Sequence, residues 1–274
     1  MKSHTAEKAL ETPSGTIRFP AYIPVTTFGE KYPLDRLIQP YLPRLAPAVM
    51  VISTGNELVE PGEPILAWQL RRSNAYGIAA TLRSHGFVRV ADDHLVDDAT
   101  VLQQRLRQHL DSYDVLILSG GVSMGKLDLV PAALAACGVR EVFHRIAQRP
   151  GKPMWFGIGP EGQSVFALPG NPVSTLVCLS RYVVPALVNA MGAAPGTFAP
   201  AKIALSAPVT WNAALAGFVP VRLDTDDWGR SWAVPASHNG SGDFAALAGT
   251  VGFVELPPGP AAYPKGFVTR LYRW

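Results

Sequence analysis

The residues best suited to chemistry stand in four short loops in the middle of the chain, where acids and cations lie beside glycines. In chain order these loops are STGNELVEPGEP (53–64), SGGVSMGKLD (119–128), RPGKP (149–153) and LPGNPVS (168–174). Glycines and small serines let backbone N–H groups converge on the oxygens of an anion. The charged side chains of the loops include Glu57, Lys126, Asp128, Arg149 and Lys152. This combination predicts a site for an anionic ligand with a metal.

Some of these charged residues have two roles open to them. Asp128 precedes a helical pattern, so it can cap that helix or hold a divalent cation beside a phosphate. Asp97 and Asp98 stand before another predicted helix, and the same two roles are open there. Arg149 offers a planar fork to a phosphate, whereas Lys152 offers a mobile point charge.

Alternating strand and helix patterns must position these loops. Short apolar runs predict strands at 48–53, 87–91, 114–119, 141–147, 154–158 and 164–168. Helical spacing predicts helices over 69–85, with Leu70 on the buried face, from Asp97 or Asp98 to Leu110, after Asp128, and from the LPGNP motif to about Ala190. This alternation predicts an α/β fold with a mostly parallel sheet covered on both faces. Ligands of such sheets bind beyond the carboxyl ends of the strands, where the four loops are expected.

Helical spacing disappears after MGAAPGTFAPA (191–201), a linker of small residues. Five short β-type runs follow, separated by Pro, Gly and Asp, and they predict a small all-β domain. We therefore divide the chain into an irregular N-terminal extension over 1–46, an α/β domain over 47–193 and a small C-terminal β domain over 200–274.

Composition narrows the class of protein further. The 274 residues carry a net charge of +3 with no Lys/Arg block, which argues against nucleic acid as a partner. Cys137 and Cys178 have no metal-binding spacing and are interpreted as apolar fillers, as the six scattered tryptophans are interpreted as packing residues. No signal peptide and no uninterrupted apolar run near 18 residues is found, so we expect a soluble, cytoplasmic protein with no membrane partner.

Five longer segments occur in the order, and at about the spacing, of a known family. They are STGNELVEPGEP, QLRRSNAYGIAATLRSHGF, DVLILSGGVSMGKLD, RPGKPMWFG and LPGNPVSTLVCLSRYVVPAL. On these motifs the chain resembles the molybdopterin molybdenumtransferases, MoeA and the gephyrin E domain, over roughly residues 47–274. The resemblance implies a three-layer molybdopterin-binding sandwich followed by a small barrel-like β domain.

The resemblance also implies an activity and the residues that carry it. The family takes adenylylated molybdopterin, binds molybdate as a substrate and, with Mg²⁺, inserts the metal into the dithiolene while AMP is released. Glu57, Asp98 (or Asp97) and Asp128 are implied as the catalytic acids, with Asp128 and Glu57 on the metal side. The implied substrate-binding positions are Thr54, Gly55, Ser119, Gly120, Gly121, Ser123, Lys126, Arg149, Lys152, Pro169, Gly170, Asn171 and, in the turn NGSGDF (239–244), Ser241.

The chain departs from the family in four respects. Members carry a longer region before the sandwich, which helps to build the dimer and completes the active site, so residues 1–46 indicate a member truncated at the N-terminus. Residues 10–29 weakly resemble the opening of tRNA-guanine transglycosylases, but the catalytic aspartates of those enzymes are absent. Arg72 stands where the family has an acid before Ser-Asn, and an arginine expected in the β domain is not evident.

Three functions are compatible with these observations. The first is a molybdopterin molybdenumtransferase-like transferase, which the acids Glu57, Asp98 and Asp128 favour. The second is a catalytically impaired module that binds molybdopterin or a nucleotide as the partner of a full-length paralogue, which the short N-terminal region favours. The third is molybdopterin adenylylation, for which the sandwich alone suffices in related proteins. A homodimer is the other expected assembly.

Overall fold

A computed structural model describes residues 9–12, 15–18, 46–122, 129–191, 199–212, 214–237 and 239–274. The predictions made for Ser123, Lys126 and Asp128 lie outside these residues. Near the start of the chain, β1 (Ala9–Thr12) and β2 (Gly15–Arg18) pair as an antiparallel hairpin.

Two six-stranded sheets and two short strand pairs account for the remaining strands. The strands are β3 (Val49–Thr54), β4 (Leu58–Val59), β5 (Leu70–Arg71), β6 (Val90–Leu95), β7 (Val115–Ser119), β8 (Arg140–His144), β9 (Gln148–Arg149), β10 (Trp155–Ile158), β11 (Ser164–Leu168), β12 (Ala201–Leu205), β13 (Val209–Thr210), β14 (Ala216–Thr225), β15 (Ser231–Pro235), β16 (Gly252–Leu256), β17 (Ala262–Tyr263) and β18 (Val268–Arg273). The α-helices are α1 (Ser73–Ser84), α2 (Ala99–Ser112), α3 (Val130–Ala136), α4 (Pro172–Cys178) and α5 (Val184–Ala190).

The first sheet has the order β6-β3-β7-β11-β10-β8. Its first four strands are parallel, whereas β10 pairs antiparallel with both β11 and β8. The predicted mostly parallel sheet is therefore confirmed. Because β3, β7 and β11 are neighbours and parallel, the loops that follow them emerge side by side at one edge of the sheet.

Both faces of this sheet are covered, which makes the sandwich three layers thick. Val49 and Val51 of β3 point into a core shared with α1, α4 and α5. Met50 and Ile52 point the other way, into a core shared with α2 and α3. Successive strand residues face opposite sides of a sheet, so a continuous apolar strand serves both cores. Burying each such side chain stabilises the fold by about 1.5–3 kcal/mol.

Two elements differ from the sequence prediction. The helix predicted over 69–85 begins at Ser73, and Leu70, predicted on its buried face, lies in β5 and is 59% exposed. The strand predicted at 87–91 begins at Val90 and continues through two aspartates to Leu95. Charged residues are usual signals of a strand end, but these aspartates are bound by arginine and histidine side chains from neighbouring elements.

The predicted helix after the LPGNP motif is confirmed as a continuous run over Pro172–Ala190, which contains a π-helical turn at Leu179–Val183. Pro185 follows this turn, and its ring and missing N–H prevent a regular α-helical turn before it. By length and composition the run could cross a membrane, but 56% of its apolar stretch is buried inside the protein.

The five predicted C-terminal β runs form a closed five-stranded barrel. The order is β15-β12-β18-β16-β14, and β14 pairs again with β15 to close the ring. β9, which belongs in sequence to the sandwich, adds to β14 as a sixth, parallel strand. The barrel also packs on α4 through an apolar cluster that includes Val173, Val177, Phe218 and Phe253. The domain boundaries given above remain a prediction.

Candidate functional site

A cleft of about 970 Å³ lies between the loops at the carboxyl edge of the first sheet and one side of the barrel. All four predicted loops contribute to it. The predicted site residues that line it are Thr54, Gly55, Glu57, Gly120, Gly121, Arg149, Lys152, Pro169, Gly170, Asn171 and Ser241. Residues as far apart in sequence as Thr54 and Ser241 are thus brought to one place by the parallel strands and the docked barrel.

The two glycines after β7 form the floor of the cleft against Thr54. Gly120 has a φ of +102°, and a Cβ there would lie 2.8 Å from the carbonyl oxygen of Thr54. Gly121 has a φ of +65°, and a Cβ there would lie 2.5 Å from Cγ2 of Val130. The Oγ1 of Thr54 is buried and has no hydrogen-bond partner within the described parts of the chain. An unpaired buried hydroxyl is costly, so this atom is suited to a ligand or a water molecule in the cleft.

Two carboxylates face the cleft from neighbouring loops. Glu57 folds back over Gly55, and a Cβ at Gly55 would lie 2.5 Å from Oε2 of Glu57. Asp97 accepts a hydrogen bond from the backbone N–H of Asn56 at 3.4 Å, and its own N–H donates to Oδ1 of Asn56 at 3.1 Å. This pair of hydrogen bonds ties the loop after β3 to the loop after β6.

Asp98, the residue next to Asp97, caps a helix and does not face the cleft. Its Oδ1 accepts hydrogen bonds from the N–H groups of Thr100 and Val101, both at 2.9 Å, so it caps α2. Asp98 does not line the cleft, whereas Asp97 does. Of the two positions that the resemblance offers for an acid, Asp97 is therefore the one that faces the cleft.

The segment RPGKP (149–153), which carries Arg149 and Lys152, packs on buried polar residues. Gln148 donates from Nε2 to the carbonyl oxygen of Pro150 at 3.0 Å and accepts from the hydroxyl of Tyr182. Burial raises the pKa of the Cys178 thiol, which lies beside Gln148, to about 12, so Cys178 fills space as a neutral thiol. Arg149 and Lys152 are thereby held at the cleft on a packed base.

Sequence reasoning missed Asn74, which joins two of the glycine loops. Its Nδ2 donates to Oγ of Ser119 at 2.8 Å and to the carbonyl oxygen of Gly170 at 2.7 Å. Ser119, predicted to bind substrate, is buried beneath the loop and does not line the cleft. Asn74 belongs to the RSN motif that carried part of the resemblance, and this was the available signal.

The barrel closes the cleft at the start of α4. Asn171 donates from Nδ2 to Oγ of Ser241 at 2.8 Å, and the N–H of Val173 donates to the carbonyl oxygen of Ser241 at 3.0 Å. The barrel also contributes Trp211 and Leu215 to the lining, so Trp211 has a place in the cleft beyond the packing role predicted from the sequence. The Gly-Ser-Gly turn is thus part of the same site as the sandwich loops.

Arg72, the departure from the family pattern, lies buried behind the loop after β3. It donates to Oγ of Ser53 at 2.6 Å, to Oδ2 of Asp92 at 2.5 Å and to Glu60. Burial alone would lower the pKa of Arg72, but these carboxylates raise it overall. A hydrogen bond from Tyr76, followed by those from Arg72, lowers the pKa of Glu60. The arginine therefore stays charged because acids on neighbouring elements match it.

No group of three or more His, Cys, Asp or Glu residues with the arrangement of a metal site occurs in the described ranges. The carboxylates that face the cleft there are Glu57 and Asp97. Asp128, the other acid predicted on the metal side, lies outside those ranges. Two carboxylates beside a glycine loop supply oxygen ligands of the kind that Mg²⁺ prefers.

The fold and the cleft define a class: an α/β sandwich whose loops, together with a barrel, enclose a cleft lined by glycines, two cations and two carboxylates. A family model described as a probable molybdopterin binding domain matches residues 50–189, and one described as the MoeA C-terminal region (domain IV) matches residues 202–269. The chain belongs to the MoeA family of molybdopterin-binding proteins.

Relatives agree with this assignment. The chain is 38% identical over 270 residues to the molybdopterin molybdenumtransferase of Synechocystis sp., covering 98% of this chain and 64% of that protein. That match extends into residues 1–46. Molybdopterin molybdenumtransferase 2 of Mycobacterium tuberculosis is 34% identical over 243 residues, covering 86% of this chain and 57% of that protein. The chain thus spans less than two thirds of either relative.

A solved structure shares the arrangement of both domains. The crystal structure of a molybdopterin biosynthesis MoeA protein from Pyrococcus horikoshii is 29% identical to this chain, with a TM-score of 0.69. The similarity covers 82% of this chain and 54% of that protein. The sandwich and the barrel are therefore both part of the family fold.

Proposed function

We propose that the chain acts in molybdenum cofactor biosynthesis as a molybdopterin molybdenumtransferase, which inserts molybdenum from molybdate into adenylylated molybdopterin with release of AMP. One observation carries this proposal: a glycine floor, two cations and two carboxylates line one cleft. The relatives named molybdopterin molybdenumtransferase support the choice of substrate. We keep the cytoplasm as the expected location.

The cations fit the cleavage of a phosphoanhydride. Such a reaction depends on positioning and on neutralising the charge of the phosphates, more than on a protein nucleophile. Arg149 and Lys152 stand where they can bind that charge, and the hydroxyl of Thr54 offers a hydrogen bond beside the glycines. The neutral, buried thiol of Cys178 is not suited to attack a phosphate.

The carboxylates fit a magnesium requirement. We propose that Glu57 and Asp97, together with Asp128 as predicted from the sequence, would hold Mg²⁺ at the cleft. When bound, Mg²⁺ neutralises phosphate oxygens and orients the group that is cleaved. Asp97 takes the role first assigned to Asp98, because the carboxylate of Asp98 is occupied as a helix cap.

The test is incubation of the purified chain with adenylylated molybdopterin and Mg²⁺, with and without molybdate, while AMP is measured. We expect AMP release that depends on molybdate. Glu57→Gln should lower the rate of release at least tenfold with a smaller loss of binding, since a charge on the metal side is removed. Glu63→Gln, which changes an exposed acid outside the cleft, is the matched control. Tight binding without AMP release by the unaltered chain would refute the proposal.

A second candidate is the binding module that works beside a partner protein. It is favoured by a run of exposed apolar side chains between β4 and α1, which are Ile65, Leu66, Trp68 and Leu70, each 45–61% exposed. Exposed apolar patches of this kind mark protein interaction sites. Light scattering after size exclusion separates the arrangements: a mass of two chains indicates a homodimer, and co-elution with a full-length paralogue indicates the accessory role.

A further inference from the structure

The two walls of the cleft differ in chemistry. The sandwich loops contribute glycines, carboxylates, Arg149 and Lys152, whereas the barrel contributes an indole, aliphatic and aromatic carbon and uncharged polar side chains. The barrel residues in the described lining are Thr210, Trp211, Asn212, Leu215, Phe218, Gly240 and Ser241, with no lysine or arginine among them. A ligand that fills the cleft therefore needs an anionic part and a weakly polar part.

The indole of Trp211 is fixed in place by its own loop. Its Nε1 donates to the carbonyl oxygen of Leu215 at 3.0 Å, and its backbone N–H donates to the carbonyl oxygen of Ala261 at 2.8 Å. The ring lies against the backbone of Gly217, where a Cβ would come within 2.4 Å of Cε2. Because the indole N–H is already bonded, the ring has its π surface left to offer a ligand, and a rigid ring loses little entropy on binding.

The strand beneath the ring is paired with the strand that carries Arg149. Gly217, beneath the indole, pairs with Arg149 in the parallel ladder between β14 and β9, and the N–H of Ala216 donates to the carbonyl oxygen of Ala147 at 3.0 Å. Neighbouring strands are about 4.8 Å apart, so the backbone on which the indole lies and the backbone of Arg149 are one strand spacing from each other. This spacing suits a planar ring joined to a phosphate.

We propose that Trp211 is a specificity-determining residue that binds the planar, nitrogen-containing bicyclic ring of the ligand, while the phosphate lies against Arg149 and the glycine loops. The inference rests on the proposed function, since adenylylated molybdopterin carries two such rings, a pterin and an adenine. Both offer a π surface to an indole, and the experiment must separate them.

Calorimetric titration of three probes tests this: AMP, 6-hydroxymethylpterin and pyrophosphate. Trp211→Ala should weaken the binding of one or both ring-containing probes about tenfold, because stacking on an aromatic side chain is lost. Pyrophosphate, which has no ring, should bind as it does to the unaltered chain. Trp211→Phe keeps a planar ring and should retain affinity to within about threefold. Trp228→Ala, at an exposed tryptophan outside the cleft, is the matched control.

The outcomes are distinct. Loss of AMP affinity alone places the adenine on Trp211, and loss of pterin affinity alone places the pterin there. Any of the following results would overturn the proposal: no effect of Trp211→Ala, an equal loss for all three probes, or no binding of either ring by the unaltered chain. Circular dichroism of each variant excludes misfolding, and a Phe variant as weak as the Ala variant also counts against the ring. Molybdate-dependent AMP release by the unaltered chain is a separate measurement, so the proposed function can fail while ring binding stands.

Discussion

At the scale of single residues, Gly120 lies directly against the backbone of Thr54 in the cleft. Its φ of +102° and the nearby Thr54 carbonyl leave no space for a side chain. We expect Gly120→Ala to lower the affinity for AMP about tenfold and the free energy of unfolding by about 2 kcal/mol, because Thr54 must move and the backbone is strained. Titration calorimetry and urea unfolding measure the two effects.

Gly86→Ala is the control for that substitution. Gly86 also has a positive φ, +85°, but nothing lies within 4 Å of the position that a Cβ would take. The free energy of unfolding of the Gly86→Ala variant should fall by about 1 kcal/mol because of backbone strain, and its affinity for AMP should be unchanged. An equal loss of affinity in both variants would show that contact with Thr54 is not the cause.

The role of a single residue was also the hardest feature to predict from the sequence. Two adjacent aspartates could each cap α2 or face a ligand. The path of the chain from β6 to α2 decides between them: Asp98 caps the helix and Asp97 lines the cleft. Trp211 could not be separated from packing tryptophans, because its place in the cleft depends on how the barrel docks. The glycine loops were predictable, since the residue types within each loop, and the order of the loops along the chain, are visible in the sequence itself.

At the scale of elements, Arg72 joins β3, β6 and the loop before β5, and its side chain is only 7% exposed. We expect Arg72→Met to lower the free energy of unfolding by about 2–4 kcal/mol, because carboxylates lose their buried partner. Arg105→Met, at an ion pair whose arginine is 44% exposed, should cost less than about 1 kcal/mol. Urea unfolding compares the two, and equal losses would contradict the assigned role of burial.

Asp93 in the same strand predicts a dependence on pH. Its burial alone would raise its pKa, but hydrogen bonds from Arg105 and His109, each at 2.7 Å, lower it overall. A carboxyl with a lowered pKa stabilises the fold above its unfolded value, about 4, and loses that contribution as the pH falls through the folded value. The stability difference between the unaltered chain and Asp93→Asn should therefore shrink below about pH 4. A difference that stays constant with pH would contradict this.

The elements themselves were largely predictable. Long apolar strands such as β3 and β7 and the five barrel strands follow from local pattern. The errors fell at β5 and β6, where Leu70 is exposed and Asp92 and Asp93 lie inside a strand. The aspartates of β6 are paired with Arg72 and with side chains of α2, and β5 is paired with β4. A linear pattern contains neither kind of pairing.

At the scale of the whole molecule, the hydrogen bond between Asn171 and Ser241 joins the sandwich to the barrel. In a double-mutant cycle of Asn171→Ala and Ser241→Ala, we expect a coupling of about 0.5–1.5 kcal/mol in the free energy of unfolding. Ser237→Ala, paired with Asn171→Ala, should show additivity, because Ser237 is not bonded to Asn171 in the described contacts. Coupling near zero in the first cycle would mean that the contact does not hold the domains together.

The attachment of β9 to the barrel has a mechanical consequence. Arg149 belongs to the sandwich by chain order, yet its strand is hydrogen-bonded to β14, while Glu57 stays on the sandwich. A rotation of the barrel would carry the backbone of Arg149 with it and change the gap between the positive and negative sides of the cleft. A ligand that contacts both sides would hold them at a fixed distance and oppose that rotation. The orientation of the barrel and the affinity for a charged ligand are therefore coupled.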